Sequence, residues 1–109
     1  EDCSMNETNV DTYLHYLLET AEEYAMAQSS SKYYERFIKS IESKHFLEAT
    51  GTIDQRKSFA RTHPEYLQAL EDAKDVDYQS ALLFAKREHA KLSISSWQSS
   101  LKAKNESVY

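Results

Sequence analysis

Apolar residues recur along the first half of this chain at helical intervals. Val10, Leu14, Leu17, Ala21 and Tyr24 are separated by four, three, four and three positions, which places them on one face of a helix. The stripe resumes at Tyr34, Phe37, Ile38 and Ile41 and continues to Phe46 and Leu47. Between the two runs, Ser29, Ser30 and Ser31 weaken the pattern, because serine hydroxyls compete for backbone hydrogen bonds. The spacing predicts one helix over about 10–49, bent at the serines, with Asn9 or Asp11 as its cap. A second stripe (Leu67, Leu70, Ala73, Val76, Leu83, Ala90, Ile94, Trp97, Leu101) predicts a helix over about 64–103, interrupted at Ser80 and Arg87.

The only glycine and the only proline, Gly51 and Pro64, lie between these stripes. Thr50-Gly51 ends the first helix, with glycine supplying the left-handed conformation common there. Thr52-Ile53-Asp54-Gln55 has the pattern of a capping box and predicts a short helix over about 53–61. Thr62-His63-Pro64-Glu65 repeats the pattern, with proline in the first turn, where its missing amide donor does no harm. The fold class is therefore all-α: a long antiparallel helical hairpin (10–49 and 64–103) with a short connecting helix. Residues 1–8 lack periodicity and are expected to be disordered, with Met5 a candidate natural start. Residues 9–103 form a single helical domain, and 104–109 a frayed tail.

Charge supports the antiparallel arrangement. Residues 1–28 carry seven acids and no lysine or arginine, whereas 80–109 carry five bases and two acids. Residues 29–62 carry seven bases and four acids, and 63–79 five acids and one base. Folding the chain back sets each acidic segment beside a basic one. Individual surface pairs contribute only about 0–1 kcal/mol, yet the segregation disfavours parallel helices. Tyr13, Tyr16, Tyr33, Phe46, Phe84 and Leu92 fall wide of a two-helix seam, which predicts self-association into an oligomeric helical bundle. A dimeric four-helix bundle is the simplest form and a larger ring the alternative. Leu14, Leu17, Phe37, Ile41, Leu83, Ile94, Trp97 and Leu101 are the expected interface.

Candidate chemistry is sparse. Two segments interleave bases with aromatics: Lys32-Tyr33-Tyr34-Glu35-Arg36-Phe37-Ile38-Lys39 and Arg56-Lys57-Ser58-Phe59-Ala60-Arg61, with Lys44 between them. Lysine and arginine neutralise phosphates while flat rings stack on unpaired bases, so the segments form a candidate single-stranded DNA surface of ten residues: Lys32, Arg36, Lys39, Lys44, Arg56, Lys57 and Arg61 on phosphates and Tyr33, Tyr34 and Phe59 on bases. A net charge of −5 favours the opposing reading, in which the rings are core and the bases pair with acids. Glu42-x-x-His45 has the spacing of half a dimetal site, but no second copy of that motif exists, and His15, His63 and His89 are scattered. Cys3 has no positioned histidine, and no glycine-rich phosphate loop is present. No enzyme, metal or cofactor is expected. A single cysteine points to a reducing compartment, and no apolar run of membrane-spanning length is present. The expectation is a soluble cytoplasmic protein without membrane contact.

The stretches Phe37-Ile38-Lys39-Ser40-Ile41-Glu42-Ser43 and Phe46-Leu47-Glu48-Ala49-Thr50-Gly51-Thr52 resemble a family of short, helical, bacteriophage-encoded proteins. So do Arg56, Ala60-Arg61, His63-Pro64-Glu65-Tyr66 and Ile94-Ser95-Ser96-Trp97, and the likeness spans about residues 13–103. The layout is also similar to that of UvsY-type recombination mediators, which are small, helical and oligomeric. These resemblances imply a non-enzymatic phage or prophage accessory in DNA recombination or replication, in the cytoplasm of a bacterial host. The implied partners are single-stranded DNA, a recombinase or a single-strand-binding protein. The rival expectation is a protein-only adaptor or inhibitor acting through acidic faces, from Glu19, Glu22 and Glu23 and from Glu71, Asp72, Asp75 and Asp77.

Overall fold

The computed structural model describes residues 7–106. They form three helices, α1 (Glu7–Glu48), α2 (Ile53–Thr62) and α3 (Pro64–Glu106), with no strand. The fold is the all-α helical hairpin that the stripes predict, with α1 and α3 packed against each other and α2 joining them. Each long helix extends three residues beyond its predicted outer end, so 7–9 and 104–106 are helical. The disorder expected of 1–6 and the fraying expected of 107–109 concern residues outside the described ones. Among the described residues, no helix is long and apolar enough to cross a membrane.

By contacts the chain divides into two units: residues up to Tyr24 together with those from Leu82 onward, and Ala25–Ala81. In the first unit, the seam positions on α1 are Val10, Tyr13, Leu17, Thr20 and Tyr24, buried or half-buried and alternating three and four apart, with Tyr16 half-buried beside them. On α3 they include Leu83, Arg87, Ala90, Ile94 and Trp97. The same alternation governs the second unit, through Ala27, Ser31, Tyr34, Ile38, Ile41 and His45 on α1 and Tyr66, Ala69, Ala73, Val76 and Ser80 on α3. A mean repeat of 3.5 residues is the signature of coiled-coil packing.

This register corrects the predicted stripes. Leu67 and Leu70 remain 48 % and 42 % exposed, and Tyr66 and Ala69 take the seam instead, leading into Ala73 as the stripe predicts. Small side chains let the helix backbones approach, and an unbroken repeat running back from Trp97 lands on 69 rather than 70. Ser80 and Arg87 do not interrupt the seam; they are part of it. On α1, Leu14 and Leu47 face outward for the same reason. The serine run is continuous helix, and the Ser31 hydroxyl donates to Asp77 on α3. Of the residues expected at an oligomer interface, Ile41 is buried within the chain, and Leu17, Leu83, Ile94 and Trp97 are half-buried. Leu14, Phe37 and Leu101 stay exposed.

The turn is built from its caps. Gly51 adopts φ +111°, a backbone region that side chains rarely tolerate. The Thr52 hydroxyl accepts from the Gln55 N–H at 3.2 Å, and the Gln55 side chain accepts from the Thr52 N–H at 2.9 Å, closing the predicted capping box. The second box does not form. Thr62 is the last residue of α2, and its hydroxyl donates back to the Ser58 carbonyl at 2.7 Å. His63 caps α3 instead: its Nδ1 accepts from the Glu65 N–H at 3.1 Å, ahead of Pro64 in the first turn.

Candidate nucleic-acid interface and the closed-end cluster

Lys32, Arg36 and Lys39 recur four and three residues apart, so they form one row along α1. All three are exposed, and none has an ion-pair partner among the described residues. The adjacent row carries Tyr33 and Phe37, 61 % and 38 % exposed, whose rings stack with centroids 5.8 Å apart and planes 11° from parallel. Tyr34 turns into the seam, half-buried, with its ring near-perpendicular to both others and centroids 5.7 and 6.2 Å away. A stacked aromatic pair beside a row of unpaired cations is an arrangement that can stack a base and hold its phosphates.

The second predicted segment is arranged differently. The Arg56 guanidinium lies 4.3 Å above the Phe46 ring, and its Nε donates to the Phe46 carbonyl at 3.2 Å. Arg61 pairs with Glu42, an interaction that holds its guanidinium above its ordinary pKa. Lys44 donates to Glu65 at 3.3 Å. These three cations tie the closed end of the hairpin together, whereas Lys57 and Phe59 remain exposed. The structure thus separates the ten predicted contact residues into an outward strip on α1 and a set largely engaged in internal contacts.

The most organised polar cluster is one that sequence spacing missed. His45, only 3 % exposed, sits at the end of α1 with both ring nitrogens on carboxylates: Nδ1 3.0 Å from Glu48 and Nε2 2.6 Å from Glu65. The His63 ring stacks on it at 3.6 Å, with planes 14° apart. Burial disfavours the imidazolium, but hydrogen bonds to Glu65 and Glu48, and their charges, outweigh it and raise the His45 pKa above its usual value. The same bond from His45, with that from Lys44, lowers the pKa of Glu65. The two histidines lie eighteen positions apart in sequence, so only the turn at Gly51 and the cap at His63 bring them together.

His45, His63 and Glu65 offer donor atoms that all lie within 4.8 Å of one another, a set that could hold a metal ion. Their hydrogen bonds suit a proton better. His63 Nδ1 already accepts a backbone N–H, so in the neutral ring the other nitrogen carries the hydrogen and has no lone pair to give. His45 has no nitrogen free of a carboxylate. Glu42 turns to Arg61 and shares no partner with His45, so the Glu-x-x-His spacing brings no joint ligand pair.

No family model matches the chain, and neither a characterised protein nor a solved structure matches it.

Proposed function

We propose that this chain is a non-enzymatic accessory of DNA recombination or replication, in a phage or prophage setting, that binds single-stranded DNA while self-associated. The observation that carries the reading is the strip on α1, where the exposed Tyr33–Phe37 stack lies beside Lys32, Arg36 and Lys39. The contact surface is narrower than the sequence pattern suggests. Arg56, Arg61 and Lys44 serve the turn, and Lys57 and Phe59 are secondary. The resemblance to helical phage proteins supports the setting, with a recombinase or single-strand-binding protein as the accompanying partner.

The test is fluorescence anisotropy of a labelled single-stranded oligonucleotide. Three phosphate contacts give log K a slope of about −2 against log salt, a loss of roughly 20-fold between 50 and 200 mM. Tyr33→Ala should weaken binding by about 5- to 150-fold, the equivalent of one stacked base. K32E/R36E/K39E should abolish binding with helicity intact. Unchanged binding in the triple variant refutes the strip.

A second reading is favoured by the net charge of −5 and by the exposed acids Glu71, Asp72 and Asp75 on α3. Here the chain is a protein-only adaptor for a basic partner surface, and no oligonucleotide binds even at low salt.

A further inference from the structure

Two contacts between the long helices fix their register within the unit Ala25–Ala81. Lys44 of α1 reaches Glu65 of α3 at 3.3 Å, and the Ser31 hydroxyl donates to Asp77. Lys44 directly precedes the seam residue His45, and Glu65 directly precedes Tyr66, so this pair closes one flank of the seam. The helices run antiparallel and share a seven-residue repeat. The same crossing therefore recurs one repeat away, at Phe37 on α1 and Asp72 on α3, which directly precede the seam residues Ile38 and Ala73. Phe37 is the less exposed ring of the stacked pair, 38 % against 61 % for Tyr33, as a place beside α3 requires. Asp72 is exposed, and the Gln68 side-chain amide donates to its Oδ1 at 3.0 Å. One such bond orients the carboxylate and leaves it further acceptor capacity.

Across this surface three rows run side by side: the cations Lys32, Arg36 and Lys39, then the rings of Tyr33 and Phe37, then Asp72 of α3. A strand whose phosphates meet the cations and whose base lies on the rings turns the outer edge of that base to a carboxylate. A carboxylate accepts hydrogen bonds and gives none. It pairs with the exocyclic amine of cytosine, whereas thymine presents a keto oxygen at the same place. From these rows we infer that the strip discriminates between bases, with Asp72 making it prefer cytosine over thymine in a single strand. This rests on the single-strand reading above and adds a base preference to it.

Oligo(dC) and oligo(dT) of equal length, titrated by anisotropy at neutral pH and one salt concentration, test it, because both carry the same phosphates and single-ring bases. The parent should bind oligo(dC) about 5-fold more tightly, the low end of what one base-edge pairing contributes. Asp72→Asn supplies an amide that donates as well as accepts, so it should tighten binding to oligo(dT) and remove the preference. Asp75→Asn is the same loss of charge one row farther from the rings, and it should tighten both strands alike and keep the ratio. Both positions are exposed, and circular dichroism verifies helicity. Equal affinities in the parent, a preference that survives D72N, or one that D75N removes as fully overturns the inference. If K32E/R36E/K39E still abolishes binding in those cases, the strip itself stands. No binding of either strand at low salt overturns both.

Discussion

Arg87 occupies a seam position between Leu83 and Ala90, where a coiled coil ordinarily places an apolar side chain. Its Nη1 donates to the Leu17 carbonyl and to the Thr20 hydroxyl, both at 2.7 Å, and the guanidinium lies 5.3 Å from the centre of the Tyr24 ring. Arg87→Met keeps the stem and removes the head. Hydrogen bonds from a charged donor contribute about 1.5–3 kcal/mol each, and a cation over an aromatic face about 0.5–1 kcal/mol at an exposed site. Against these stand the desolvation of a half-buried guanidinium and its buried Nε, which has no partner, an opposing term of about 1–3 kcal/mol. The balance is a loss of roughly 3 kcal/mol for R87M, within a span of about 0.5–6 kcal/mol set by those terms. Thr20→Val removes one acceptor, and because the Thr20 hydroxyl also donates to the Tyr16 carbonyl at 2.8 Å, that link is lost too. Urea unfolding followed by Trp97 fluorescence, at one fixed protein concentration, measures both variants and their combination. The double-mutant cycle should show a coupling of about 1 kcal/mol. R87M as stable as the parent would mean that desolvation cancels the hydrogen bonds, and the account of the polar seam would fail.

Gly51→Ala puts a Cβ on a backbone at φ +111° and against the Gln55 side chain that closes the capping box, so it should destabilise the turn by about 1–3 kcal/mol in the same assay. The closed end should also respond to pH with two limbs. The raised pKa of His45 makes its contribution complete below the ordinary value of 6.5, and this is lost as pH rises through the folded value. The lowered pKa of Glu65 makes its contribution complete above 4.5, and this is lost as pH falls. Thermal melts should therefore be highest between pH 4.5 and 6.5, and His45→Gln should flatten the alkaline limb. A limb that survives H45Q unchanged would assign it to another group.

Much of the architecture is legible in the residues themselves. Helix, break, short helix and helix follow from two apolar stripes with a single glycine and a single proline between them, since those residue types govern the local backbone. Gly51 and the Thr52–Gln55 box act within four residues of each other, so their conformations are readable from sequence. Helical spacing also aligns Lys32, Arg36 and Lys39 in one row, whereas the exchange of Tyr34 for Phe37 as the exposed neighbour of Tyr33 depends on which ring the seam takes in.

Packing decided the rest. Hydrophobicity selects Leu67 and Leu70, but the seam takes Tyr66 and Ala69, because helix approach and an unbroken 3.5-residue repeat depend on both helices at once. His63 belongs to a cap by its sequence and to a histidine stack by its fold. Whether Arg56, Arg61 and Lys44 face solvent or join the turn depends on where Phe46, Glu42 and Glu65 end up, and residue spacing does not encode that position. The chain by itself determined which elements form and where the turn between them falls, because those are short-range backbone preferences. The tertiary structure alone decided which apolar residues are core, which cations are unpaired and which flanks remain bare, because each depends on the side chains another helix brings to meet them.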